Sequence, residues 1–446
     1  MKTLLSESFL KNIYKKIGEA EKSRNKYFHS EINNRQPVHV VYGGADKFRF
    51  DISAKLGRIA LKTLEEYANN HKTFFEALGL RDYTFSNLVY ERVIEKLKRE
   101  PVEDYRIDFE DGYGIRPDNE EDKSAELTAL ETAKGINENS LPPFFGIRIK
   151  PLTNDFKERA VRTLDIYLTT LLSETKGKLP DNFLITLPKI TFPEQVSVLV
   201  ELLKQLEEKN FLPEGSLKFE IMIETPQVII NQKGECGIPA LISASQGRCF
   251  AAHFGAYDFT SSLDITAKNQ FLDHPLCDFV RNIMKIAFAD TGIFLSDGAT
   301  NILPVPKYRN DNLIDEEKRI NRETIFNSWR ISFKDIRHSL ISGFYQGWDL
   351  HPAQIPIRYA AVYSFFLEEL ESAVKRLKSF IKKEAQVSLA GNIFDDAASA
   401  QALLNFFIRG FNCGALTEDD IKQTGLTIEE LKTKSFLKIL ESRNYL

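Results

Sequence analysis

The chain has few cysteines, little net charge and no long apolar run. Its 446 residues include four cysteines, Cys236, Cys249, Cys277 and Cys413. They show no close pairing, which argues against a disulfide framework or a zinc site and fits a reducing cytoplasm. A formal net charge of -4 gives no reason to expect nucleic acid or an anionic membrane as partner. No apolar segment precedes a small-residue cleavage site at the N-terminus, so no secretory signal is expected, and no run is long and apolar enough to span a bilayer. Two nucleotide signatures are also missing. The absence of Gly-x-Gly-x-x-Gly after the first strand weakens a doubly wound, dinucleotide-binding sheet as the fold. The absence of Gly-x-x-x-x-Gly-Lys-Ser/Thr weakens nucleotide-linked phosphoryl transfer. What is present is ordinary globular material, 43% hydrophobic and 27% charged.

Phe219-Glu220-Ile221-Met222-Ile223-Glu224-Thr225-Pro226 organises the reading. A near-continuous apolar run predicts a strand buried on both faces, as in a parallel sheet covered by helices. Pro226 ends it, because proline has no N–H for the ladder. Glu224 then stands at the strand's C-terminal end, the face where a parallel barrel does chemistry. The plainer alternative is a glutamate capping a loop.

The pattern recurs. Strands with the turns that end them are predicted at 38–42, 105–109, 144–149, 183–189, 219–226, 249–258, 293–298 and 347–352, with helical periodicity between them. Eight strand–helix units in alternation predict an α/β fold, a TIM (β/α)8 barrel. An amphipathic helix at about 3–24, with Leu5, Phe9, Ile13 and Ile17 at four-residue spacing, is expected to pack on the core as part of an N-terminal segment, 1–36. The barrel is expected over 37–385, with insertions near 69–100 and 304–333, and a helical extension over 386–446. The helix at about 356–383 carries an apolar stripe longer than one barrel groove needs, which predicts a homo-oligomer.

Charged or polar groups mark the strand ends. Gly43, Gly44 and Asp46 follow the first strand, and Glu110 and Asp111 the second. Arg148, Lys189, Glu224 and Asp258 end the next four, and Asp297 and His351 the last two. Buried charges are costly unless they are paired or bind a metal. Carboxylates with one arginine and one lysine suggest a divalent cation and a small anionic substrate. Oxygen-only ligands suit Mg²⁺, or Mn²⁺, and Glu224 with Asp258 would supply the two carboxylates such a site uses. The alternative is a structural ion cluster in which they pair with Arg148 or Lys189. For Lys189 and Asp297 an active-site rim and an ion pair are equally open, and for His351 a ligand contact and a structural turn.

Taken together, six motifs resemble the HpcH/HpaI aldolase and citrate lyase beta-subunit family. They are Asp108-Phe109-Glu110-Asp111-Gly112, Ile147-Arg148-Ile149, Leu187-Pro188-Lys189, Ile223-Glu224-Thr225, Gly255-Ala256-Tyr257-Asp258 and Leu350-His351-Pro352-Ala353-Gln354-Ile355, in family order over about 38–370. The resemblance implies a phosphoenolpyruvate/pyruvate-type barrel. It implies that Glu224 and Asp258 hold Mg²⁺, that Arg148 neutralises a forming enolate, and that Glu110 and Asp111 orient metal-bound waters. Gly43, Gly44, Lys189, Asp297 and His351 are the expected substrate-binding positions. The implied chemistry makes or breaks a carbon–carbon bond beside a carbonyl, on a 2-keto or 3-hydroxy acid or its coenzyme A thioester. Tyr257 departs from the family, which usually has glutamate there. A pyruvate-type phosphotransferase and a non-catalytic barrel subunit are the other functional readings.

Overall fold

The computed structural model describes residues 4–24, 35–82, 84–310, 312–382, 388–390, 393–395, 397–433 and 435–443. Eight parallel strands close into a barrel in chain order, and the last pairs with the first through His39↔Gly347 and Val40↔Trp348. The strands are β1 (His39–Gly44), β2 (Asp104–Asp108), β3 (Phe144–Arg148), β4 (Phe183–Leu187), β5 (Lys218–Ile223), β6 (Cys249–Phe254), β7 (Phe294–Ala299) and β8 (Gln346–Trp348). Before them lies α1 (Glu7–Arg24), and α2 (Ile52–Tyr67), α3 (His71–Ala77) and α4 (Ser86–Arg99) follow β1. Single helices α5 (Asp118–Asn137), α6 (Lys157–Thr175) and α7 (Glu194–Lys209) follow β2, β3 and β4. Short α8 (Pro226–Ile229) and α9 (Ile238–Ala244) follow β5, and α10 (Ala256–Ser262) and α11 (Pro275–Ala287) follow β6. α12 (Asp315–Ile341) and α13 (Ile355–Lys382) complete the ring. A two-stranded ribbon, β9 (Ser388–Ala390) and β10 (Ile393–Asp395), then leads to α14 (Ala397–Asn412), α15 (Glu418–Lys422), α16 (Ile428–Lys432) and α17 (Phe436–Ser442). Among the described residues no helix is long and apolar enough to cross a membrane.

β5 differs from the uniformly apolar strand its sequence suggests. Phe219, Ile221 and Ile223 join the apolar core, while Glu220 meets Arg106 of β2, Met222 meets Arg148 of β3, and Glu224 meets the Lys189 N–H just after the neighbouring β4. The barrel interior is therefore charged where such barrels usually carry branched aliphatics. Arg106 of β2 donates through Nε and Nη2 to the two oxygens of Glu220, both at 2.9 Å, and its Nη1 bonds Asp104. Glu220 also accepts from Thr186 and, at 3.3 Å, from the Tyr42 hydroxyl, with His253 Nε2 2.9 Å away. Burial pushes the Asp104 carboxyl up to about 6, whereas Arg106 and His253 override burial and hold Glu220 well below the carboxylate range. This network is the floor on which the C-terminal mouth of the barrel stands.

Three sequence expectations change here. First, the expected 304–333 insertion is mostly α12, the helix of the seventh unit itself. Its inner face carries Asn321, Ser328 and Ser332 beside Ile325 and Trp329, and these polar residues dilute the apolar stripe. Residues 69–100 include α3 and α4, which stand between α2 and β2. Second, the long stripe of α13 is covered within the chain. Phe366 meets Phe406 of α14 at 5.2 Å, and Gly410 allows the approach, since a Cβ there would stand 3.0 Å from the Phe366 ring. The 385/386 boundary and the Lys383 end of this helix lie outside the described residues. Third, α1 does not pack on the core, because Phe9 and Ile17 are each 51% exposed, as is Leu5 just before the helix at 57%.

Candidate active site

Asp108, the last residue of β2, fixes the geometry of the mouth. Its Oδ1 accepts from the Glu110 N–H at 2.9 Å and its Oδ2 from the Gly112 N–H at 2.7 Å, which curls the loop after the strand. Gly112 is required, because a Cβ there would lie 2.5 Å from Asp108 Oδ2. The same carboxylate takes a two-pronged bond from Arg148 at the end of β3, Nε to Oδ1 at 2.7 Å and Nη2 to Oδ2 at 2.6 Å. Register explains the match, since Asp108 and Arg148 are direct partners on adjacent parallel strands. The forked edge of the guanidinium is thus committed to Asp108, a residue that the motif contained but that strand-end reasoning left without a role. Nη1 remains toward the mouth, 3.2 Å from Glu110 Oε2. Tyr42 and Trp348 flank the guanidinium, with ring centroids 4.9 and 5.4 Å from its carbon. Burial opposes the Arg148 charge, but Asp108 overrides it and keeps the group fully protonated.

Glu224 follows β5 and is 2% exposed. Its Oε1 accepts from the Lys189 backbone N–H at 2.5 Å, and its Oε2 is buried without a hydrogen-bond partner. Burial first, and Asp258 second, push this carboxyl up to about 8. Gly255 forms the wall behind it, because a Cβ there would lie 2.5 Å from Oε2. Asp258 sits in the first turn of α10, not at the strand end itself, and its side chain is 44% exposed. Lys189 Nζ joins the two sides of the mouth, 2.5 Å from Glu110 Oε1, 3.2 Å from Asp111 Oδ2 and 3.5 Å from Asp258 Oδ1. Burial raises the Glu110 carboxyl against the pull of Arg148 and Lys189.

The structure thus brings Glu110, Asp111, Arg148, Lys189, Glu224 and Asp258 to one face. Gly43 and Gly44 serve packing at its edge, for a Cβ on Gly43 would lie 2.0 Å from the Tyr105 hydroxyl and one on Gly44 2.4 Å from the Gly112 carbonyl. Asp297 does not join them. Side chains alternate along β7, and Asp297 falls on the helix side, 3.3 Å from Arg281 Nη1 of α11 and bonded at 2.6 Å by Ser339 of α12. His351 caps the turn after β8, accepting the Ala353 N–H on Nδ1 at 3.2 Å, while Gln354 accepts the Leu350 and His351 N–H groups and donates to Thr300 O. The His-Pro-x-Gln motif is therefore a lock between β7 and β8. Tyr257, where the resembling family has glutamate, turns away to Ala299 O at 2.6 Å and Asn301 N at 3.1 Å.

Among the described residues no group of three or more His, Cys, Asp or Glu side chains is arranged as a metal cage. A two-carboxylate site is a different case, because Mg²⁺ takes most of its shell from water and substrate. The unpartnered, buried Oε2 of Glu224 beside Asp258 fits one, since a buried carboxylate oxygen needs a cation or a donor. An open groove of about 1030 Å³ lies at the opposite end of the barrel among Arg58, Arg99, Pro143 and Pro180, away from these acids.

The eight-stranded parallel barrel is shared with solved structures. The citrate lyase of Burkholderia xenovorans LB400 superposes with a TM-score of 0.56 over 90% of this chain and 99% of its own, at 17% identity. The protein CitE from Mycobacterium tuberculosis, in complex with magnesium, acetoacetate and coenzyme A, gives 0.46 over 86% and 99%, at 14% identity. A Haloferax volcanii malate synthase gives 0.45 over 90% and 99%, at 14% identity. The shared barrel agrees with the likeness carried by the sequence motifs. No curated protein matches the sequence. Residues 17–439 match the family described as Domain of unknown function (DUF6986), and the chain belongs to that family.

Proposed function

We propose that the protein is a Mg²⁺-dependent carbon–carbon lyase or aldolase acting on a small 2-keto or 3-hydroxy acid, or on its coenzyme A thioester. One observation carries the reading: Glu224 is buried with one oxygen unpartnered, beside a second carboxylate and within the same mouth as a fixed arginine. Glu224 and Asp258 would hold the ion, with Mn²⁺ as an alternative. A bound divalent ion would supply Lewis-acid stabilisation to negative charge forming on a carbonyl oxygen.

The protein's own groups have separate tasks. Asp108 holds the Arg148 guanidinium still, and Nη1, 3.2 Å from Glu110 Oε2 and 3.7 Å from Met222 Sδ, would be the donor offered to a substrate oxygen. A donor fixed in advance costs no reorganisation when charge develops. Glu110, its carboxyl raised by burial, is placed to hold a proton at the mouth and to orient water together with Asp111. The Tyr42–Trp348 wall keeps water from the flank of Arg148. The free cysteines support a cytoplasmic protein. The exposed stripe of α1 supports a homo-oligomer, in place of the α13 stripe that α14 covers.

The test is calorimetric titration with Mg²⁺ followed by solvent deuterium exchange into oxaloacetate, pyruvate and glyoxylate-derived acids. One bound ion, abolished in the Glu224→Gln/Asp258→Asn double variant, and metal-dependent exchange into one of these acids are expected. Unchanged Mg²⁺ binding in the double variant refutes the site.

A further inference from the structure

Lys189 reaches both candidate metal ligands with two different donors. Its backbone N–H donates to Glu224 Oε1 at 2.5 Å, and its Nζ stands 3.5 Å from Asp258 Oδ1. The same ammonium lies 2.5 Å from Glu110 Oε1 and 3.2 Å from Asp111 Oδ2. The backbone at Lys189 is left-handed, with φ of 50°, which an L side chain adopts only when its surroundings impose it. That conformation lets one residue present its amide to β5 while its side chain reaches the acids after β2 and in α10.

Resting on the reading of Glu224 and Asp258 as metal ligands, we propose that the Lys189 ammonium is a tethered cation that competes with the divalent ion for Asp258, while the backbone N–H of the same residue holds Glu224 in place. Entry of the ion then requires the ammonium to move aside. The two cations of the mouth differ in the needed way. Arg148 is 2% exposed and pinned by Asp108, so it cannot leave. Lys189 is 30% exposed on a flexible four-carbon stem, and of its three carboxylate partners, Glu110, Asp111 and Asp258, the last is the one a divalent ion would take over. A lysine here lowers the affinity for a divalent ion by its charge and preserves the arrangement of the acids by its bonds.

The test uses the full chain and Mg²⁺ alone, with no substrate. Lys189→Met and Lys189→Gln should bind Mg²⁺ about 10- to 100-fold more tightly than wild type, because a positive charge within contact distance of the ligands is gone. The thermal midpoint of both variants should rise more on saturation with Mg²⁺ than that of wild type, because their acids lack a resident partner. Lys189→Arg, which keeps the charge, should stay within a few-fold of wild type. If Lys189→Met fails to fold, Lys189→Gln retains a polar head and carries the comparison. Equal or weaker binding in the neutral variants, with wild type still binding one ion, overturns the competition and leaves the metal site standing. A wild-type protein that binds no divalent ion overturns the metal reading and this inference with it.

Discussion

Asp108→Asn is the perturbation that probes the mouth most directly. Each oxygen of Asp108 accepts two bonds, from the Glu110 N–H and Arg148 Nε on one side and from the Gly112 N–H and Arg148 Nη2 on the other. An amide sets a donor against two donors in either orientation. The Arg148 guanidinium also loses its two-pronged counter-charge, with only Glu110 left at 3.2 Å, and with side-chain exposures of 2% and 1% water cannot replace it. Leaving one partner of a buried pair unpaired costs about 3–5 kcal/mol. The loss should appear as a lower urea midpoint at unchanged slope. Adding Arg148→Met should restore part of it, with a coupling of at least about 2 kcal/mol in the double-mutant cycle. A single-variant loss below about 1 kcal/mol, the size of an ordinary hydrogen bond, or strict additivity in the cycle, refutes the claim that Asp108 holds Arg148.

Arg148→Lys should keep Mg²⁺ binding yet lose about 100- to 1,000-fold in deuterium exchange, since a point charge cannot bond Asp108 twice and still reach substrate; exchange at the wild-type rate contradicts the enolate role. Asp335 is buried beside Asp273 and Asp297, and burial lifts its carboxyl from 3.8 to about 6. A raised native pKa means that the folded state holds the proton more tightly, so this stabilisation is full at low pH and is lost as pH rises through about 6, a change of about 3 kcal/mol. Asp335→Asn should remove that decline between about pH 4 and pH 7 in denaturation experiments, and parallel curves for the two proteins refute it. Light scattering at micromolar concentration should give a multiple of the monomer mass, reduced by Phe9→Glu with Ile17→Glu in α1; a monomeric wild type refutes the oligomer.

Much of this was legible from local pattern. The order of eight strand–helix units follows from hydrophobic periodicity, which each segment carries by itself. Several strand ends were readable to within a residue or two, because Pro226 and Gly112 interrupt the pattern where the chain must turn, while the sixth and eighth strands end at Phe254 and Trp348, short of the expected Asp258 and His351. That is why Glu110, Arg148 and Glu224 could be named before any coordinates. Asp258 was placed nearly as well, one helical turn beyond its strand.

Facing was harder to read than position. A residue at a strand end points into the barrel or out of it according to a phase that one position reverses, and Asp297 fell on the outer side. Glu220 interrupts the apolar run of β5, and its neutralising partners could not be read from the run because they lie far away in sequence, Arg106 being 114 residues distant. The exposure of α1 and the covering of α13 depend on which surfaces meet, which periodicity does not record.

The sequence by itself determined the barrel and the set of charges around its mouth, since both follow from residue type at regular spacing. Only the tertiary structure decided how those charges are shared: Asp108 claims the fork of Arg148, Lys189 spans three carboxylates, and Glu224 keeps one oxygen unpartnered. The reason is that a charge's partner is the nearest opposite charge in space, and closing the barrel brings together residues that the chain holds tens of positions apart.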